Sequence, residues 1–172
     1  MRLAHAAFGV DSTVPHRIAV PFTLRCEDTK ETMPFSSKDA QVFLANGFRS
    51  APIAKAMGLT LTYDDEGNAR VSWARTTDYD HGMNDTHGGV FATMLDSAGW
   101  FTVAAHCVKT VVTSDLHVRM LQPARQQDLV ATARIVRIGN KLAVADMQLH
   151  SSDGQLVATG TASFVIVGDL PI

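Results

Sequence analysis

Asp96 is the residue of this chain best placed to do chemistry. It sits in Val90-Phe91-Ala92-Thr93-Met94-Leu95-Asp96-Ser97-Ala98-Gly99-Trp100-Phe101, a stretch that is otherwise almost wholly apolar. An ionised carboxylate in such surroundings is costly to bury unless it is paired or hydrogen-bonded, and perturbed groups of this kind gather at functional sites. It is either such a functional group or a structural carboxylate that reaches water at a helix edge or caps something locally. Just upstream stands His87-Gly88-Gly89. Glycine allows a ligand to approach the backbone closely. The first turn of a helix also leaves N–H groups unpaired at the positive end of its dipole. That is the equipment of an oxyanion hole; the plainer reading is a Gly-rich loop leading into a helix.

Spacing constrains how these groups can cooperate. Gly88 and Asp96 are eight residues apart, so on one helix they stand ~12 Å apart along its axis. A donor must lie about 3 Å from the oxyanion, and a base must reach the attacking water. One helix therefore does not supply both groups to one carbonyl. Two antiparallel copies across a two-fold axis do, with Gly88 of one beside Asp96 of the other.

The elements that position these residues follow from hydrophobic period. Gly88 to His106 is the longest apolar helix candidate, apolar on nearly every side and so expected to be buried. The polar loop 77–87 precedes it. Ser36-Ser37-Lys38-Asp39 starts an earlier helix that should end near Asn46-Gly47, and a second short helix opens at Pro52 and closes at Gly58. Leu59 to Asp64 and Ala69 to Thr76 read as strands around the turn Asp65-Glu66-Gly67-Asn68. Strands are also expected over Val111–Leu121, Leu129–Ile138, Lys141–His150 and Leu156–Val167, with turns at Gly139-Asn140 and Asp153-Gly154. In the first of these, Val112, Leu116, Val118 and Met120 share one face, and Thr113, Asp115, His117 and Arg119 the other. Successive hairpins give an antiparallel sheet, and with the long helix an α+β fold. Pro15, Pro21 and Pro34 disfavour helix in residues 1–36, which read as an extended N-terminal arm before a domain at 37–172.

Composition narrows the function. The 172 residues suit one core, and 46% hydrophobic with 19% charged residues is an ordinary soluble balance. A net charge of −2 gives no pull toward nucleic acid or an anionic membrane. No apolar run approaches the roughly 20 residues that span a bilayer, and Met1 to Val10 makes a poor signal peptide. A cytoplasmic protein is expected. Cys26 and Cys107 have neither metal nor framework spacing and read as reduced thiols. His81, His87, His106, His117 and His150 are too scattered for zinc, so no metal and no cofactor is expected.

Taken together, His87-Gly88-Gly89, Asp96, and Val112-Thr113-Ser114-Asp115-Leu116 resemble the hotdog-fold acyl-CoA thioesterases, and most of all the phenylacetate-pathway branch. Met120-Leu121-Gln122-Pro123-Ala124-Arg125 and Arg137-Ile138-Gly139-Asn140-Lys141 extend the likeness, which spans about residues 38–167. The resemblance implies an antiparallel sheet wrapped around one long central helix. It also implies a homodimer at minimum, with a tetramer as the larger alternative, and sites formed between protomers. Asp96 matches the family's general base or nucleophile, Gly88 its oxyanion donor, and Thr113 a Ser/Thr that orients the water or the acid. The family usually has Asn six residues before the motif His; here that position is His81, with Asn84 nearby. Either His81 takes the hydrogen-bonding role or the loop is shifted and Asn84 does. His87 is expected to hold the loop. Gly89, Arg119, Arg125, Arg137, Asn140 and Lys141 are candidates to meet coenzyme A. The alternatives are a hotdog acyl-thioester dehydratase or hydratase, which usually pairs a catalytic His with an acid, and a non-catalytic acyl-CoA-binding protein.

Overall fold

Helix α3 (Gly88–Cys107) is the axis about which the chain is built. The structure is a computed structural model that describes residues 37–172. Helices α1 (Ser37–Ser50) and α2 (Pro52–Met57) lead into strands β1 (Leu59–Tyr63) and β2 (Ala69–Trp73). After α3 come β3 (Lys109–Met120), β4 (Leu129–Ile138), β5 (Leu142–Ser151) and β6 (Leu156–Asp169). The strands form one antiparallel sheet in the order β1-β2-β4-β5-β6-β3, and α3 packs against β2, β3, β4, β5 and β6. This is the expected α+β arrangement of a sheet curled around a helix.

The inward positions of the sheet are small where the helix comes closest. Ala143, Ala145, Met147 and Leu149 of β5 are buried, as their alternation predicts. Gly99 of α3 is needed for this approach: a Cβ there would meet Phe164 Cζ at 2.8 Å and Met147 Sδ at 3.0 Å. Trp100 Nε1–H donates to the Val111 carbonyl at 2.8 Å and fixes α3 against β3. Phe48 stands edge-on to Phe101 with ring centroids 4.9 Å apart, and α1 leans on the same helix. Among the described residues no helix is long and apolar enough to cross a membrane.

Several expectations are corrected. Helix α1 runs through Asn46-Gly47 to Ser50, because Phe48 is buried and its packing outweighs the weak helix propensity of that pair. Strand β2 ends at Trp73, since the Arg75 N–H donates to the Asp128 carboxylate at 2.8 Å instead of continuing the ladder. Helix α3 is not buried on every side: Gly89, Ala92, Thr93, Asp96, Ser97 and Trp100 form a partly open stripe. Val112 does not share a face with Leu116. The β3–β6 register skips Ser114, a β-bulge that leaves Val112 outward while Thr113, Leu116 and Val118 turn inward. The arm expected at 1–36 lies outside the described residues.

Thr102 shows how α3 holds the β1–β2 hairpin. It is fully buried, and its hydroxyl oxygen accepts from the Ala69 N–H at 2.8 Å. Thr102→Val keeps the volume and leaves that N–H without a partner, so stability should fall by about 1–3 kcal/mol. Denaturant unfolding at fixed protein concentration measures this; an unchanged midpoint would mean that the hydrogen bond contributes nothing.

Candidate active site

The first turn of α3 is capped by its own sequence motif. His87 is the N-cap, with φ −64° and ψ 137°, and its Nδ1 accepts from the Gly89 N–H at 2.9 Å. The His87 carbonyl accepts from Val90 N–H at 2.9 Å, and the His87 N–H donates to the Tyr79 carbonyl at 2.9 Å. Gly88 N–H is passed over, and has no hydrogen-bond partner among the described residues. A cavity of about 310 Å³ opens there, lined by His81, Thr86, Gly88, Phe91, Met120 and Leu121 among others. A Cβ on Gly88 would come within 2.6 Å of the Met120 Sδ and Cε, the flexible end of an exposed side chain that lies over this turn. The Thr86 hydroxyl is buried beside this cavity with no hydrogen-bond partner among the described residues.

Two turns further along α3, Asp96 is half-buried, and its Oδ1 accepts from the Thr113 hydroxyl at 2.9 Å. Burial pushes the carboxyl above the usual carboxylate range, and the Thr113 bond offsets only part of that shift. The Ser114 bulge is what turns Thr113 toward the helix. Asp96 does not line the cavity above Gly88. The structure thus joins Asp96 to Thr113, and Gly88 to His81, as two separate groups.

The loop before α3 is a small closed hairpin. Asp80 bridges Thr86, His81 N–H donates to the Asp85 carbonyl at 2.9 Å, and Asn84 N–H donates to the His81 carbonyl at 3.0 Å. His81 Nδ1 accepts from the Met83 N–H at 3.1 Å. Asn84 is the turn residue, with φ 58°; its carbonyl accepts from Gln126 Nε2 at 3.1 Å, and it does not line the cavity. Asp85 fastens the hairpin to the turn after β3. Its carboxylate accepts from the N–H groups of Thr86 at 2.8 Å and of Arg125 and Gln126 at 3.1 Å each. Burial pushes the Asp85 carboxyl up, but these N–H donors outweigh it and hold the group below the usual range.

Sequence reasoning missed Asp85, Met120 and the Arg75–Asp80 ion pair at 2.5 Å that braces the loop. Only Asp85 had a local signal, an acid just before the helix cap. The positive φ of Arg125 (53°) and Gln126 (61°), which aims their N–H groups at Asp85, has none. Gly89 is exposed and lines a second cavity of about 440 Å³ with Tyr79, Asp80, His87 and Thr93. The cationic candidates are exposed and dispersed. Arg119 and Arg125 lie at or beyond the Met120 end of β3, while Asn140 and Lys141 lie at the β4–β5 turn, beside the opposite end of that strand. Arg137 follows the register shift in β4. Among the described residues no group of three or more His, Cys, Asp or Glu is placed to hold a metal ion.

Residues 83–158 match the thioesterase superfamily. A Halobacterium salinarum protein described as an esterase is 30% identical over 148 residues, covering 78% of this chain and 97% of its own. The Salmonella typhimurium medium/long-chain acyl-CoA thioesterase YigI is 29% identical over 140 residues, covering 67% and 85%. The Escherichia coli PaaI protein from the phenylacetic acid degradation operon superposes with a TM-score of 0.71 at 23% identity, over 78% of this chain and 98% of that one, a likeness of fold. A relative aligned along nearly its whole length, and a fold shared with solved relatives, place this chain in the thioesterase superfamily as a thioester hydrolase.

Proposed function

We propose that this protein hydrolyses acyl-CoA thioesters to free acid and coenzyme A, in the cytoplasm, at a site shared by two copies of the chain. The carrying observation is Asp96, a half-buried carboxylate of raised proton affinity whose one hydrogen-bond donor among the described residues is Thr113. In this reading Asp96 takes a proton from water, and the resulting hydroxide attacks the thioester carbonyl carbon. The charge formed on the carbonyl oxygen is held by the unpaired Gly88 N–H. The carbon–sulfur bond breaks, and the proton returns from Asp96 to the departing sulfur. Phe91, Met120 and Leu121 give the acyl group an apolar wall. The activity of YigI supports a coenzyme A thioester as substrate.

Strand β3 supports the shared site. Among the described residues it lies at the edge of the sheet and pairs only with β6, and a long unpaired edge strand invites another chain. Thr113 marks the Asp96 end of α3 and Met120 the Gly88 end. Antiparallel pairing of β3 with its symmetry mate, Thr113 opposite Met120 of the partner subunit, brings Gly88 beside the partner's Asp96. Because Ser114 is skipped by the bulge, Asp115 then faces the partner's Arg119, Leu116 faces the partner's Val118, and His117 lies on the axis. Asp115 and the partner's Arg119 are complementary in charge, and Leu116 and the partner's Val118 are both apolar. The same pairing carries Asn140 and Lys141 of one copy toward Arg125 of the other, where the phosphates of coenzyme A would meet them.

The His87 ring supports hydrolysis over dehydration. Its Nδ1 accepts from a backbone N–H, so the neutral ring carries its hydrogen on Nε2 and has no lone pair left to act as a base. A non-catalytic acyl-CoA binder has no use for a carboxylate held at a cost in the middle of α3.

Asp96→Asn should lower kcat by about 10²–10⁴ with KM little changed. Because the folded protein raises the Asp96 pKa above its unfolded value, the ionised group costs stability once pH exceeds the ordinary carboxylate range. Asn should therefore leave Tm at neutral pH unchanged or higher. Near-normal turnover in the folded variant would exclude the mechanism. A lowered Tm with normal turnover would identify a structural carboxylate.

Thr113→Val removes the bond that favours the ionised form, so the acid limb of kcat/KM should move to higher pH. An unmoved limb would separate Thr113 from the titration of Asp96.

Mixing two inactive variants tests the shared site. Gly88→Pro deletes the donor at the first helical position, where the backbone tolerates proline, and its Cβ requires the exposed, flexible end of Met120 to move aside. Gly88 is not a positive-φ glycine, and His87 already has the extended ψ of 137° that a following proline requires. Asp96→Ala deletes the base. Refolded together in equal amounts, they should regain roughly a quarter of wild-type sites, since half the dimers are mixed and each mixed dimer has one intact site. No recovery, with both variants shown to be dimeric, would place the two groups in separate sites.

A further inference from the structure

The cavity above Gly88 has two walls that come from different parts of the chain. One is the loop before α3, and the other is Met120 to Pro123, the end of β3 and the turn after it. The second wall is fastened to β6 at its base, where the Leu121 N–H donates to the Val157 carbonyl and Gln122 Nε2 to the Leu156 carbonyl, each at 2.9 Å. Further out it is held by Asp85 of the opposite wall. Asp85 Oδ2 accepts from the Arg125 N–H and Oδ1 from the Gln126 N–H, both at 3.1 Å, and Gln126 Nε2 adds a bond to the Asn84 carbonyl at 3.1 Å. The turn needs this anchor. Arg125 and Gln126 stand at φ 53° and 61°, in the left-handed region that is costly for residues with a Cβ. Successive N–H groups in such a turn face one point and form a concavity that binds an anion. The Asp85 carboxylate fills that concavity, and its Oδ1 also accepts from the Thr86 N–H at 2.8 Å, next to the His87 cap.

We propose that Asp85 is a positioning residue that sets the width of the cavity over Gly88, and through it which acyl groups the enzyme accepts. The inference rests on the hydrolytic reading above, in which this cavity takes the acyl group. Asp85 touches neither the substrate nor the reacting atoms, because its oxygens are spent on N–H groups of its own chain. It acts through the turn. Without the carboxylate nothing offsets the left-handed pair at Arg125 and Gln126, and as the turn relaxes Pro123 and Leu121 draw away from the loop. A pocket of fixed width discriminates by fit, where one methylene is worth about 10–200-fold. A pocket whose wall has been released binds its best-fitting group less well and separates acyl groups of different size less sharply.

The experiment uses the full chain, with thiol release followed on acetyl-, decanoyl-, palmitoyl- and phenylacetyl-CoA. On the best of these substrates Asp85→Ala should raise KM about tenfold, and its preference over the next best should shrink by a similar factor, the scale of one methylene of fit. Because Asp96, Thr113 and Gly88 are untouched, kcat should stay within about threefold, well short of the loss of a catalytic group. Asp85→Asn keeps an oxygen for the Thr86 and Gln126 N–H groups and should recover most of the lost KM and preference. A merely structural role gives the opposite pattern: fewer folded molecules lower the apparent kcat and leave KM and the order of substrates as they were. That pattern in Asp85→Ala would overturn the proposal, and so would Asp85→Asn as impaired as Asp85→Ala. Gln126→Ala removes the bond to the Asn84 carbonyl and leaves Asp85 in place; it should raise KM in the same direction by a smaller factor. If Asp85→Ala does not fold, Gln126→Ala decides, and an unchanged KM and preference there would overturn the proposal. If Asp96→Asn is inactive while Asp85→Ala keeps the wild-type KM and preference, the positioning role alone fails. If Asp96→Asn stays active, the hydrolytic reading itself fails.

Discussion

Side chains on a β-strand alternate between faces, and β3 has to serve the middle and the N-terminus of one helix from the same face. Thr113 must reach Asp96, Leu116 and Val118 must pack against the core, and Met120 must lie over Gly88. With unbroken alternation Thr113 and Leu116 would point to opposite sides of the sheet. The bulge at Ser114 inserts one residue and turns both inward. Ser114 spends its own hydroxyl on the Ser163 carbonyl at 3.1 Å. Both halves of the site depend on this one irregularity: the hydroxyl that holds the carboxylate, and the thioether that lies over the glycine.

The helix imposes the complementary constraint. Its apolar faces are filled by the sheet, and Gly99 sits within a Cβ of Phe164 and Met147, so α3 cannot rotate to expose Asp96 fully. The carboxylate stays half-buried, with one hydroxyl as its donor, and its proton affinity rises accordingly. At the N-terminus the cap settles which N–H remains for a ligand. His87 takes Gly89 through its ring and Val90 through its carbonyl, and Gly88 is left. A serine cap would also satisfy one N–H, but its rotatable hydroxyl could turn to donate elsewhere. The imidazole does not, because its neutral tautomer is fixed by the bond it accepts.

Much of this was legible in the residues because it is local. Gly58 closes α2 and Gly67 and Gly154 turn two hairpins, all at positive φ, where glycine is the default. The alternation of β5 and the length of α3 follow from period alone. Asp96 and Gly88 stood out because an acid and paired glycines are conspicuous in an apolar helix, and Thr113 only through the family resemblance. What local sequence did not carry was anything set by a distant partner. The bulge depends on β3 meeting α3 and β6 at once. Helix α1 passes Asn46-Gly47 because Phe48 finds Phe101. Asp85 looks like one more polar loop residue until the turn at Arg125 and Gln126 folds back to give it two further N–H donors.

The polar groups around the two cavities have a common logic. His81 and His87 each accept, through Nδ1, from the backbone N–H two residues on, at Met83 and at Gly89. Each neutral ring is left with a donor and no acceptor. Gly88 adds another donor. Asp96 is an acceptor, and burial raises its proton affinity. A site composed this way suits a reaction in which one proton leaves water while negative charge gathers on a carbonyl oxygen. It suits poorly a reaction in which a histidine must lift a proton from carbon, since the ring nitrogen that would do so already carries one. The backbone of the loop, by fixing two tautomers, thereby helps to choose between chemistries that the fold alone would permit.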